Sequence, residues 1–212
     1  MSRGFFLVIE GPDGAGKSTM VAALDGRFRN AGVEPVLVRE PGGTPAAEHI
    51  RSALLDPHNE FEPGTELLFI AAARAHVVQA VIQPALARGR VVISDRYELS
   101  TEAYQMAGRG LPPDIVQTIN TCATGGLRPA LTLILNVPPT VGKSRQEASG
   151  KSLDRLDSET PDFRQRVADH YLAVHGDGVR HLDGTLPFEV LVDLAWESIE
   201  GVWEGAPQAD AG

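Results

Sequence analysis

The sequence predicts an α/β fold, a five-stranded parallel sheet with helices on both faces. Three observations predict it. Five short apolar runs, at residues 5–9, 35–38, 91–94, 131–135 and 179–182, are separated by segments long enough for helices, which is the alternation of βαβ units. The runs lack a clean alternation with polar residues, as expected of strands covered on both faces. The first run stops at Glu10 and opens into a glycine-rich loop, GPDGAGKS, at the mouth of a helical stretch.

In chain order, FFLVI is the first strand and residues 17–30 the helix that leaves the glycine loop. PVLV, ending at Arg39, is the second strand, followed by helices at 46–54 and 66–88. VVIS, ended by Asp95, is the third, followed by a helix at 113–124. LTLIL is the fourth, followed by a helix at 161–174, and VRHL the fifth, followed by a helix at 188–203. In each helical stretch apolar residues recur at three- and four-residue spacing. No internal repeat and no linker rich in Pro, Gly or Ser divides the chain, so residues 1–212 read as one domain with a frayed tail at 205–212, GAPQADAG.

A chain of 212 residues is long enough to bury roughly 70% of the surface its unfolded form exposes. Its 42% hydrophobic and 22% charged residues are those of an ordinary globular protein. The net charge of −9 argues against a broad footprint for DNA or RNA, whose binders gain most of their affinity by neutralising phosphates. A small anionic ligand would need a local basic pocket instead. Cys122 is alone, which leaves no intrachain disulfide and no Cys-based metal cluster, and fits a reducing cytoplasm. The first apolar run is too short for a signal-peptide core and no stretch approaches about eighteen uncharged apolar residues, so no membrane insertion is expected. The histidines fit no metal spacing.

Gly11 to Ser18 satisfies G-x-x-x-x-G-K-[ST] after a strand and before a helix, the context the motif requires. Gly11, Pro12, Asp13, Gly14, Ala15, Gly16, Lys17, Ser18 and Thr19 are therefore read as the cradle of a nucleoside triphosphate. Glycines let backbone N–H groups turn inward, the helix N-terminus adds partial positive charge, Lys17 reaches the β/γ oxygens, and Ser18 can ligate Mg²⁺. RVVISDRY places Asp95 at the C-terminal end of a parallel strand beside that loop, where an acid suits Mg²⁺ or its water shell. Arg96 then lies near the transferred phosphoryl group, where a fixed cation stabilises its oxygens.

REPGGT, from Arg39 to Thr44, leaves the second strand at the edge where ligands of open α/β folds collect. IEGPDGAGKST, REPGGT, ELLFIAAAR, SDRYELSTEAYQMAGRG and LDRLD, in this order and at these distances, closely resemble the thymidylate kinase family, from Phe5 to about Tyr171. The resemblance implies a P-loop nucleoside monophosphate kinase fold with a short lid at about 142–157, a cytoplasmic homodimer, and transfer of the ATP γ-phosphoryl to dTMP, giving dTDP. Matched residue by residue, Asp13 would assist at the deoxyribose or the metal. Arg39, Arg74 and Arg96 would surround the acceptor phosphate, and Tyr104 with Gln105 would face sugar and base. The charges agree: a monophosphate and a triphosphate repel each other, so their approach needs several forked guanidiniums.

GKSRQEASGKSLDRLD is polar and glycine-containing and corresponds to the family's lid, whose closure excludes water. The P-loop carries no arginine, so the resemblance implies a catalytic cation from the lid, with Arg145, Lys151 and Arg155 as candidates. The base pocket departs from the family: Ile70 stands where a stacking Phe is usual, Met106 where a glycine is usual, and Asn136 where an Asp is usual. Phe69, turned roughly 140° from Arg74 on a helix, is expected in the core. These departures leave a different or modified pyrimidine monophosphate as an alternative acceptor, and a P-loop switch that is not a kinase as a third reading.

Overall fold

The structure, a computed structural model, describes residues 4–150, 155 and 159–205. Five strands, β1 (Phe5–Glu10), β2 (Val36–Arg39), β3 (Val91–Asp95), β4 (Leu131–Asn136) and β5 (Val179–Asp183), form one sheet in the order β2-β3-β1-β4-β5. Every pairing is parallel. Each strand runs one residue beyond its apolar run, and the added residues, Glu10, Arg39, Asp95, Asn136 and Asp183, are all polar. They finish together along one edge: Arg39 and Ile9 both pair with Asp95, and Asn136 pairs with Asp183. Strand order reverses at β1, so the crevice for a ligand opens beyond its C-terminal end.

Successive residues of β1 point to opposite faces, and both faces are covered. Phe5, Leu7 and Ile9 pack with Leu24 and Phe28 of α1 (Lys17–Asn30) and with Trp196 and Ile199 of α9 (Phe188–Glu200). Phe6 and Val8 pack with Val77, Val78, Ile82 and Tyr97. Each such side chain contributes about 1.5–3 kcal/mol on burial, which explains the unbroken apolar reading of the central strand.

Helix α3 (Pro63–Val77) continues through a π-helical turn, Val78–Ile82, into α4 (Gln83–Ala87). Pro84 has no N–H for the carbonyl of Ala80, and its ring would crowd that carbonyl. The chain widens just before it, with the Gln83 N–H bonded to Val78 O. By length and composition this rod could cross a bilayer, but half of its most apolar window is buried inside the fold, and its buried Glu66 and Arg74 find partners on other elements. It is a core helix. Phe69 is not in the core: it is half-buried on this rod against Phe61, ring centroids 5.1 Å apart.

The expected helices at 46–54, 113–124 and 161–174 are α2 (Pro45–Leu55), α6 (Pro113–Thr124) and α8 (Pro161–Ala173). Thr44 and Thr160 cap α2 and α8, accepting from Ala47 N–H and Phe163 N–H, both at 3.2 Å. Two further helical pieces have no apolar periodicity to announce them. One is α5 (Glu98–Thr101), which runs into a π-helix, Glu102–Gly108. The other is α7 (Pro139–Ala148), so the first seven residues of the expected lid stretch, 142–148, are helical. Gly142 is a contact glycine. A Cβ there would lie 2.4 Å from Asp13 O, and one on Gly14 would lie 2.1 Å from Gly142 O.

The α7 backbone is thus seated on the P-loop backbone. Gly142→Ala should destabilise the protein by about 1–3 kcal/mol through overpacking and weaken ATP binding together with it. Denaturant melts and nucleotide titration check this; unchanged values in both would show that the contact yields without cost.

Candidate active site

The P-loop joins β1 to α1 with Gly11, Gly14 and Gly16 at φ of 140°, 75° and 92°, a region that residues with a Cβ adopt at a cost. Lys17 is buried at the start of α1, and its Nζ donates to Gly11 O at 2.9 Å and Pro12 O at 2.8 Å. Burial, and then the Arg96 cation, lower its pKa to about 8, with Asp13, Asp95 and Glu10 offsetting part of the effect. The Ser18 hydroxyl donates to Asp95 Oδ2 at 2.7 Å, so P-loop and β3 place two hard oxygen donors side by side, the type Mg²⁺ takes. Among the described residues no cluster of three His, Cys, Asp or Glu could hold a metal alone. An ion here would therefore need phosphate oxygens and water to complete its shell.

Arg96 follows Asp95 with φ at 76°, a left-handed conformation worth about 1–3 kcal/mol of strain in a residue of this kind. Its neighbours impose it. Arg96 N–H bonds to Ile9 O at 2.9 Å, Arg96 O accepts from Ser94 Oγ at 2.7 Å, and Tyr97 N–H bonds to Glu10 Oε1 at 2.8 Å. The guanidinium is turned inward, paired with Asp13, 3.0 Å from Ser100 Oγ and 5.0 Å from the centre of the Tyr104 ring. Tyr104 OH donates to Asp13 Oδ2 at 2.7 Å. Burial alone would push the Asp13 carboxyl up, but Arg96, Lys17 and the Tyr104 hydroxyl together hold it below its ordinary value.

These groups border a cavity of about 550 Å³, a size that suits small ligands. Its walls combine Asp13, Gly14 and Gly16 to Thr19 of the P-loop, Arg39, Arg51 and Arg96, then Ile70, Tyr104 and Gln105, and Arg145 from α7. Arg39 is half-exposed and paired with Glu48 at 2.9 Å. Arg145 donates to Gly184 O at 3.0 Å. Arg51 was not anticipated, although α2 signals it: it stands four residues after Ala47 and three before Leu54, both fully buried, so a cation lies beside the inward face.

Besides Gly11, Pro12 and Ala15 of the P-loop, three expected site residues do not line the cavity. Arg74 is fully buried, with Nε 2.6 Å from Glu40 Oε2, Nη1 2.8 Å from both Thr101 Oγ1 and Asn120 Oδ1, and Nη2 2.8 Å from Tyr97 O. Glu40, the acid of REPGGT, holds this guanidinium; burial pushes the Glu40 carboxyl up and Arg74 offsets part of that. Met106 is half-buried off the cavity wall, since the π-helical turn directs Tyr104 and Gln105 inward instead. Arg155 is held by Glu66 Oε2 at 2.6 Å and by Leu54 O at 2.9 Å, so it anchors the end of the lid stretch. Lys151 lies outside the described residues.

The family model described as Thymidylate kinase matches residues 9–194. A thymidylate kinase of Deinococcus radiodurans is 42% identical over 202 residues, 94% of this chain and 98% of its own. One of Thermomicrobium roseum is 45% identical over 201 residues, 93% of this chain and 95% of its own. One of Pseudomonas fluorescens is 51% identical over 170 residues, 80% of each.

The depressed Lys17 pKa gives a signed expectation. From about pH 8 to the ordinary lysine value of 10.5 the unfolded chain keeps a proton that the folded chain has released, so this group makes stability rise with pH across that window. Phosphate binding runs the other way, because it needs the ammonium. ATP affinity should fall about tenfold between pH 7 and pH 9, and Lys17→Gln should remove the inflection. Calorimetric titration across this range checks it; a flat profile in the parent would exclude a Lys17 that titrates near 8.

Proposed function

The chain belongs to the thymidylate kinase family, and from that premise we propose that it transfers the γ-phosphoryl group of ATP to dTMP, giving dTDP, with Mg²⁺ at Ser18 and Asp95. One observation carries the reading: a single cavity is lined by the P-loop lysine together with Arg39, Arg51 and Arg96. Such a set of cations suits a triphosphate and a second phosphate held together, and offsets the repulsion between them. The relatives above, thymidylate kinases by name, favour neither another acceptor nor a switch without kinase activity.

In this reading Lys17 and the amides of residues 14–18 hold the β- and γ-phosphates. Ser18 and Asp95 would hold Mg²⁺, which when bound supplies charge neutralisation at the phosphate oxygens. Arg96 faces the transferred group, oriented by Asp13 and Tyr104 before any ligand arrives, so little reorganisation is needed as charge spreads over the equatorial oxygens. Arg145, carried to the cavity by α7, is the lid-side cation, and α7 shields the reacting groups from water. Arg39 and Arg51 hold the acceptor phosphate, and Ile70 with Gln105 forms the base wall. A cytoplasmic homodimer completes the proposal, in keeping with the family.

Coupled ADP release across a panel of nucleoside monophosphates tests it: turnover should need ATP, Mg²⁺ and dTMP together, and Lys17→Ala should abolish nearly all transfer in a folded protein. ATP hydrolysis indifferent to every monophosphate would sink the kinase reading.

The base wall gives a second expectation. Ile70 replaces ring contact worth about 0.5–1.5 kcal/mol, so Ile70→Phe should lower KM for dTMP about two- to tenfold while kcat stays near the parent value. A KM unmoved by the new ring would show that the base does not lie against residue 70.

A further inference from the structure

Glu66 stands one turn before Ile70 on α3, and its carboxylate is fully buried. Its Oε1 accepts from Gln105 Nε2 at 2.7 Å and Arg109 Nε at 3.1 Å. Its Oε2 accepts from Arg109 Nη2 at 3.1 Å and Arg155 Nη2 at 2.6 Å. Burial alone would raise the Glu66 pKa, but Arg109, Gln105 and Arg155 together hold it below the ordinary value. It is a carboxylate without a proton, and a carboxylate only accepts.

The consequence falls on Gln105. A glutamine amide can present either its oxygen or its NH₂ to a ligand, and a half-turn exchanges them. Here the end against Glu66 has to be the nitrogen, which leaves Oε1 for the cavity that Gln105 lines. Among the described residues nothing donates to Gln105 Oε1. An acceptor fixed on the base wall suits a base with a ring N–H. Thymine and uracil carry one at N3, whereas cytosine carries only a lone pair there.

We propose that Glu66 is a specificity-positioning residue: by holding Gln105 Nε2 it fixes Oε1 toward the acceptor base and so selects an imide N3–H over the bare N3 of cytosine. The proposal rests on the dTMP reading of the cavity and adds to it the residue that sets the choice. It is distinct from the effect of Ile70, which weakens ring contact for any pyrimidine and does not touch the hydrogen-bonding edge.

The test compares kcat and KM for dTMP, dUMP and dCMP in the parent, Glu66→Gln and Glu66→Asp, with thermal melts of each. The parent should prefer dTMP and dUMP over dCMP by at least about a hundredfold in kcat/KM, as expected of a site built to meet a hydrogen-bond donor. In Glu66→Gln the neutral amide can meet either end of Gln105. The dTMP-to-dCMP ratio should then fall at least about tenfold, carried by KM with kcat within about twofold, while the dTMP-to-dUMP ratio holds. Glu66→Asp, which keeps the carboxylate, should restore most of the parent's ratio. A folded Glu66→Gln with the parent's ratio overturns the proposal. If Glu66→Gln does not fold, the parent alone decides: it should reject N3-methyl-dTMP as it rejects dCMP, and ready turnover of either overturns the proposal. A parent inactive on dTMP, dUMP and dCMP alike overturns the kinase reading and this one with it.

Discussion

Four donors converge on the carboxylate of Glu10, the last residue of the central strand: Tyr97 N–H, Ser100 N–H, Ser100 Oγ and Tyr171 OH. A carboxylate buried this completely has to be met by donors, and these lie on the turn after β3, on α5 and on α8. One group thus draws three elements to the sheet edge where the P-loop begins. The left-handed backbone of Arg96 is fixed between that bond at Tyr97 and the bond from its own N–H to Ile9 O. Without Glu10 the turn could relax into an ordinary conformation, and the guanidinium would leave the cavity.

A chain with a net charge of −9 nevertheless builds a cationic pocket, and it does so by giving its cations local acidic partners. Arg96 has Asp13 and Arg39 has Glu48. These acids hold the forks in place without cancelling their donors, since each guanidinium has five N–H groups to distribute. Where burial is complete, as for Arg74 with Glu40, the pair is structural.

The same distinction marks what the sequence could reveal. The P-loop, the sheet and the place of Asp95 and Arg96 were legible because backbone requirements and apolar runs are local. The complete burial of Glu10 was not, since burial at a sheet edge follows from a residue's neighbours and not from its own polarity. Arg74 was placed at the acceptor phosphate by resemblance; that Glu40, thirty-four residues away, holds it appears only on folding. Glu66 carried no signal, being one acid near a helix start. Helix α7 was hidden by its polar composition, although Pro139 at its first turn is a start signal.

The π-helix over Glu102–Gly108 has a consequence of another kind. Its wide turn, with Arg109 N–H bonded to Tyr104 O five residues back, is the form an α-helix takes on gaining one residue. Removing a residue here would close the wide turn and change which side chains the segment Glu102–Gly108 turns toward the cavity, Tyr104 and Gln105 among them. Length at this helix is therefore a requirement of its own, separate from composition.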